Sequence, residues 1–129
     1  MTQQHIDTMD IIVDLVVSGK KISQALGEVY KKRCIVLPFM EDIMDDPIEN
    51  LRMSQRTYNA LMRAKLRSIG AVVSYSDGGD FSRIRNFGQL SGIELFESLL
   101  NYCWARMDND QRTNFLLDAV VRNEEHLRA

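Results

Sequence analysis

Apolar residues recur at the spacing of an α-helix along most of this 129-residue chain. The first such stripe ends at Ser18-Gly19, where a glycine permits the left-handed backbone that closes many helices. Its members are Ile6, Met9, Ile12, Val13 and Val16. The stripe predicts a first helix over about residues 5–18.

A second apolar stripe follows at i, i+3, i+4, i+7 and i+8, starting at Ile22 and ending at Tyr30. Lysines and an arginine crowd the ends and the opposite face. The stripe is regular, so it predicts an amphipathic helix that is buried on one side rather than a basic helix for nucleic acid or a membrane. The short link at Gly19 predicts that the two helices form an antiparallel hairpin.

Helical patterns also dominate the rest of the sequence. An extended stretch is predicted over 34–39, with a candidate strand at 35–37. It leads into an acidic connection over 41–47, in which Asp46 caps a short turn and Pro47 takes the first position of that turn. The elements predicted after it are a helix from the Ser54 cap to about Lys65, a short helix over 69–73, a turn at 76–79, one helical turn over 81–84, a long helix from Ser91, and a last helix from the 108–110 break to about Leu127. The sequence therefore predicts an all-α fold, a compact helical bundle.

The formal net charge of −2 conceals an uneven distribution. Residues 1–50 hold five Lys/Arg and nine Asp/Glu, residues 51–92 hold seven and two, and residues 93–129 hold four and seven. One basic segment therefore lies between two acidic ones. The weakly acidic net charge of the whole chain argues against a histone-like protein that coats nucleic acid through charge alone.

Several classes of protein are not expected from this sequence. It lacks the motifs of a catalytic triad, a zinc protease, a P-loop or a dinucleotide site, so we expect neither an enzyme nor a cofactor. His5 and His126 have no companion at ligand spacing, and the acidic residues near Asp45 lack the glycine of a calcium loop, so no metal site is expected. The N-terminus has no secretory pattern, and the apolar runs are far shorter than the roughly 20 residues of a membrane span, which favours a cytoplasmic protein without a membrane partner.

Two short motifs carry the most specific information. R-x-x-N-x-L begins at Arg56, and N-h-G-x-x-S-x-x-E begins at Asn86 and ends at Glu94. Together with Ser68-Ile-Gly70 they resemble the C-terminal domain of the bacterial RNA polymerase α subunit over about residues 50–100. The resemblance implies a four-helix core with a helix-hairpin-helix element, which binds the DNA backbone and the minor groove of A·T-rich sequence.

The resemblance also implies which residues contact DNA. Matched one by one, they are Arg56, Asn59, Asn86, Gly88 and Ser91, while Arg52, Arg63 and Arg85 are auxiliary cations chosen from charge alone. One departure stands out, because Leu90 occupies a position where the family usually carries a DNA-contacting lysine. Weak binding, or binding alongside another protein, is therefore expected.

The same residues suggest a mechanism of their own. Gly88 can take the positive φ of a tight turn before a helix, and the free N–H groups of the first turn, with the Ser91 hydroxyl, can hold a phosphate. Arg56 can enter a narrow minor groove, and Asn59 can hydrogen-bond sugar, phosphate or a base edge. A purely structural interpretation is also open. In it, Gly88 and Ser91 only start and cap a helix, Asn86 closes the turn by an Asx bond, and Arg56 pairs with Glu94 or with an acidic residue of the N-terminal half.

We predict a stand-alone relative of this domain, divided into a helical hairpin with its acidic connection (1–49), a core (50–106) and a C-terminal helix (107–129), all packed as one unit. The predicted function is that of a DNA-binding, transcription-associated accessory module. The alternative is a protein-interaction module with little DNA affinity, which binds RNA polymerase, a sigma factor, another regulator or itself as a homodimer.

Overall fold

The computed structural model describes residues 2–30, 40–76 and 78–128. Its α-helices are α1 (Gln3–Val17), α2 (Ile22–Val29), α3 (Gln55–Arg63), α4 (Ile69–Ser76), α5 (Gln89–Arg106) and α6 (Asn109–Arg128), with 3₁₀ turns at Glu41–Ile43, Ile48–Asn50 and Phe81–Arg83. These ranges contain no β-strand, and the predicted all-α class is confirmed. The extended stretch and candidate strand predicted over 34–39 lie outside the described residues.

The protein divides into two compact units. Unit 1 combines residues 1–38 with residues 100–129, and unit 2 is the continuous stretch 39–99. Helix α5 contributes its first part to unit 2 and its remainder to unit 1. The three-part division at residues 49 and 106 stays a prediction.

In unit 1, helix α1 contacts both α2 and α6. Thr2 and His5 form a reciprocal cap at its start: Thr2 Oγ1 accepts the His5 N–H at 3.2 Å, and His5 Nδ1 accepts the Thr2 N–H at 3.0 Å. The backbone leaves α1 through Gly19, whose φ of 110° favours glycine. This is the link that the sequence predicts for the helical hairpin.

The apolar stripe of α1 is buried only in part. Ile12 is fully buried, but Ile6 and Val13 are exposed, and so are Ile11 and Val17 outside the stripe. In α2, by contrast, the predicted face is buried at Ile22, Ala25 and Leu26.

The core of unit 2 comes from short segments that are far apart in sequence. Its most deeply buried apolar side chains are Ile43, Ile48, Ala60, Leu61, Ile69, Val72, Leu95 and Leu99. Between α3 and α4, Lys65 turns the backbone with a φ of 64°, and the Leu66 N–H donates to the Leu61 carbonyl at 2.9 Å. This turn joins α3 to α4. Helix α4 runs to Ser76, three residues beyond its predicted end.

Residues 44–48 form a strap across the start of α4. Gly70 N–H donates to the Met44 carbonyl at 2.8 Å, and Ile69 N–H donates to the Asp46 carbonyl at 2.9 Å. A Cβ at Gly70 would lie 2.8 Å from the Met44 oxygen, so this close approach requires glycine. The sequence predicts a turn that Asp46 caps and that starts at Pro47. The observed 3₁₀ turn starts one residue later, at Ile48, and Pro47 occupies the cap position.

Candidate nucleic-acid interface

The start of α3 is fixed by the cap predicted from the sequence. Ser54 Oγ accepts the Thr57 N–H at 3.3 Å. The Ser54 N–H in turn donates to the Glu94 carboxylate of α5. Thr57 faces inward and is 1% exposed, so the neighbouring Arg56 is directed to the surface of unit 2.

The polar face of α3 carries the first group of predicted contact residues. Arg56, Asn59 and Arg63 are all exposed. Asn59 Oδ1 accepts a hydrogen bond from Gln55 Nε2 at 2.9 Å, and Arg63 Nε donates to the Asn59 carbonyl at 3.3 Å. The helix therefore presents two guanidinium groups and an amide to solvent, as the spacing predicts.

The start of α5 differs from the sequence prediction in two respects. Asn86, rather than Gly88, takes the positive φ, at 65°, because asparagine tolerates the left-handed region and the turn closes between the Phe87 N–H and the Ile84 carbonyl at 3.1 Å. The helix begins at Gln89 instead of Ser91, since the Gly88 carbonyl already accepts the Gly92 N–H at 3.1 Å. Gly88 thus lies at the cap position.

Gly88 is exposed and leaves its surroundings open. A Cβ added there would have no atom within 4 Å, so neither packing nor a positive φ requires glycine. The N–H groups of the first helical turn that follow have no partner within the helix. The missing side chain leaves this end of α5 accessible to a ligand that approaches the backbone closely.

Two contacts inside unit 2 bring the starts of α3 and α5 together. Thr57 Oγ1 donates to Ser91 Oγ at 3.0 Å in a buried contact. At the surface, Arg56 Nε donates to the Asn86 carbonyl at 3.4 Å. Residues of the two motifs that are 30 or more positions apart in sequence therefore lie next to each other in unit 2.

The ion pair considered between Arg56 and Glu94 is not formed. Glu94 accepts the Ser54 N–H instead, and Arg56 is exposed with a single described hydrogen bond through Nε. Among the auxiliary cations, Arg52 and Arg85 are also exposed. Arg52 is tied to α5 only through its carbonyl, which accepts the Ser98 hydroxyl. No described contact joins Arg63 or Arg85 to Asn86 or Gly88.

Two carboxyl groups of unit 2 have a pKa below the ordinary value. The hydroxyl of Tyr58 donates to Glu49 at 2.7 Å and lowers the pKa of that carboxyl. Hydrogen bonds from the Ser82 side chain and backbone lower the pKa of Asp80. Asp80 also lies 4.0 Å from Arg83.

Comparison with known proteins identifies the segment that carries this site. Residues 39–101 match the family model of the C-terminal domain of the bacterial RNA polymerase alpha subunit. The resemblance predicted from the sequence is confirmed. The matched range is nearly identical to unit 2, residues 39–99, so the division of the structure and the family match coincide.

Several polymerase α subunits are similar to this protein. The "DNA-directed RNA polymerase subunit alpha" of Gracilaria tenuistipitata var. liui is 37% identical over 73 residues, which cover 57% of this chain and 23% of that subunit. The subunit of Trichodesmium erythraeum is 45% identical over 53 residues, covering 41% and 17%, and that of Nostoc sp. is 43% identical over 63 residues, covering 45% and 20%. The protein therefore spans less than a quarter of the length of these relatives. No solved structure matches it significantly.

Leu90 is the residue at which the sequence indicates a departure from the family pattern. It is the second residue of α5 and 82% exposed, the most exposed large apolar side chain of the described residues. It therefore reaches solvent where the family's lysine is expected to reach DNA. The contact roles of Arg56, Asn59, Asn86, Gly88 and Ser91, and of the auxiliary arginines, stay predictions.

Sequence reasoning missed the inward-facing residue of this site. Thr57 was not singled out, although Thr57, Ala60 and Leu61 share the buried face of α3 at helical spacing. Ser91 is placed with it, 8% exposed and bonded to Thr57, rather than on the open surface.

Within the described ranges, no cluster of three or more His, Cys, Asp or Glu side chains can hold a metal ion. The helices of those ranges include none that is long and apolar enough to cross a membrane.

Proposed function

We propose that unit 2 is a DNA-binding, transcription-associated accessory module that contacts the backbone and minor groove of A/T-rich duplex. The observation that carries the proposal is the pairing of the α3 and α5 starts. The Arg56–Asn86 and Thr57–Ser91 bonds bring two motifs that are distant in sequence to one part of unit 2. The family match over residues 39–101 supports the same assignment.

Each part of the site has a distinct chemical task. The uncapped N–H groups after Gly88 favour a phosphate, which the helix dipole also attracts. Arg56 uses only Nε within the described protein, so its terminal nitrogens are available to a narrow, electronegative minor groove. Asn59, one turn further along α3, adds an amide for sugar, phosphate or a base edge.

We expect this binding to be weak. Leu90 removes one phosphate contact and its counterion release, and the protein is acidic overall. Occupancy on a promoter would then depend on a second protein, such as RNA polymerase or a transcription regulator, that raises the local concentration.

The test is fluorescence anisotropy of a labelled A·T-rich duplex at low and moderate salt. Arg56→Ala should weaken binding about tenfold and make the salt slope shallower by about one unit, as expected for one lost cation in the groove. Arg122→Ala on α6 is the matched control, because it removes the same charge from an exposed residue of unit 1. Absence of binding at low salt, or equal binding by Arg56→Ala and wild type, would contradict the proposal.

A second candidate function is protein interaction through α1. Exposed Ile6, Val13 and Val17 lie along one line of this helix, beside the exposed carboxylates of Asp10 and Asp14. A partner that offers apolar and basic side chains would match this surface.

The test of this second function is binding to purified RNA polymerase. The polymerase should bind the wild-type protein and lose affinity for a Val13→Ser/Val17→Ser variant. Equal binding of both proteins would exclude this surface, and salt-independent self-association of the wild type would identify a homodimer instead.

A further inference from the structure

A line of three hydroxyl groups joins the start of α3 to the start of α5. Ser54 Oγ lies 3.2 Å from Thr57 Oγ1, which lies 3.0 Å from Ser91 Oγ. Thr57 is 1% exposed and Ser91 is 8% exposed, so the middle and the end of the line are withdrawn from bulk water. The line connects the two segments on which the proposed DNA-contact residues lie.

The two hydrogen bonds run in the same sense along the line. Each hydroxyl has one proton to donate and can accept from others. Ser54 donates to Thr57, and Thr57 donates to Ser91. Ser91 Oγ is therefore an acceptor within unit 2, and its own proton has no acceptor among the residues that the structure describes.

The Ser91 hydroxyl lies beside other hydrogen-bond donors at the start of α5. Ser91 is in the first turn of α5, where the backbone N–H groups also lack partners within the helix. Gly88, at the cap position, contributes no side chain to satisfy them. A nine-tenths buried hydroxyl that accepts from Thr57 keeps its own proton for donation. Together with the N–H groups of this helical turn, it matches the set of donors that a phosphate oxygen accepts.

We propose that Thr57 is a positioning residue for DNA binding, which acts through Ser91. By donating to Ser91 Oγ, Thr57 leaves the Ser91 proton for a backbone phosphate at the start of α5. Hydrogen bonds in such a series polarise one another, so the donor at the end is strengthened. The inference rests on the proposed function and adds to it a residue that does not touch DNA.

The substitution that tests this role is Thr57→Val, which removes the hydroxyl and nearly preserves the volume. Loss of one directed hydrogen bond predicts DNA binding about fivefold weaker. Thr57→Ser keeps the hydroxyl and should restore affinity to within about twofold of wild type. Both are measured with the labelled A·T-rich duplex at a temperature where circular dichroism shows every variant folded.

A double-mutant cycle with Ser91→Ala separates this role from a structural one. If Thr57 acts through Ser91, Thr57→Val should weaken binding by less than about twofold when Ser91 is already alanine. A structural role of Thr57 would give the same loss in both backgrounds. If Thr57→Val does not fold, Thr57→Ala replaces it in the same cycle.

The inference is overturned by unchanged affinity of Thr57→Val, by failure of Thr57→Ser to restore binding, or by equal losses in the two backgrounds. Arg56→Ala in the same titration distinguishes this failure from that of the proposed function. If Arg56→Ala weakens binding and Thr57→Val does not, only the role of Thr57 is wrong. If the wild type does not bind, both proposals fail.

Discussion

Substitution of Gly70 tests a close backbone contact in unit 2. A Cβ at this position would lie 2.8 Å from the Met44 carbonyl oxygen and 3.2 Å from the Met44 Cβ. To restore a distance of 3.4 Å to the oxygen, the strap over residues 44–48 must move by about 0.6 Å. The same carbonyl accepts the Gly70 N–H at 2.8 Å, so the movement stretches this hydrogen bond as well.

The expected cost is the balance of three effects. Overpacking of a well-packed site costs about 1–3 kcal/mol, and loss of one backbone hydrogen bond costs about 1 kcal/mol more. Alanine recovers up to about 1 kcal/mol of helix propensity relative to glycine. Gly70→Ala should therefore lower the free energy of unfolding by about 1–3 kcal/mol.

Gly27→Ala is the matched control, because Gly27 lies inside α2 and an added Cβ would meet no atom within 4 Å. This variant should be more stable than wild type by about 0.5–1 kcal/mol. Urea denaturation followed by circular dichroism measures both changes. If the Gly70→Ala protein is as stable as wild type, the Met44 carbonyl does not restrict the side chain at position 70.

Two further predictions concern exposed residues of unit 2. Leu90→Lys should tighten binding to the A·T-rich duplex and steepen the salt slope by about one unit, whereas Leu90→Gln should leave the slope unchanged, and equal slopes for the two variants would contradict the phosphate contact. Tyr58→Phe should return the pKa of Glu49 toward its ordinary value, as followed by NMR titration of the carboxyl, because the Tyr58 hydroxyl is the main cause of its lowering. The pKa of Glu49 is lower in the folded protein than in the unfolded chain. The Tyr58–Glu49 hydrogen bond therefore stabilises the protein at pH values above the ordinary pKa of glutamate, and this stabilisation is lost as the pH falls through the pKa of the folded protein.

Local chemistry made much of this fold predictable. Ser54 was predicted as the cap of α3 because a serine before an amphipathic stripe satisfies backbone N–H groups within three residues. The cap of α6 followed similarly, and Asp108 Oδ1 accepts the Gln111 N–H at 2.7 Å. Such signals need no knowledge of the rest of the protein, so they can be read from the sequence.

Features that depend on how side chains and turns pack were not predictable from the local sequence. The positive φ falls on Asn86 instead of Gly88 because the turn closes on Ile84 and buries Phe87, which the local sequence does not specify. The need for glycine at position 70 arises from a strap more than 20 residues earlier. Thr57 is polar, so its burial became evident only when its partner on α5 was located.

The structural and the functional interpretations of Ser91 need not exclude one another. The sequence left open whether Ser91 only caps a helix or also contacts phosphate. The structure places it in a buried bond that braces α3 against α5, and the same bond occupies its acceptor side while its proton finds no acceptor among the described residues. A hydroxyl can serve as an internal acceptor and an external donor at once, so a loss of stability in Ser91→Ala would not by itself argue against DNA contact. Only the coupling between Thr57 and Ser91 in the binding free energy separates the two roles, and for this reason the double-mutant cycle decides more than either single substitution.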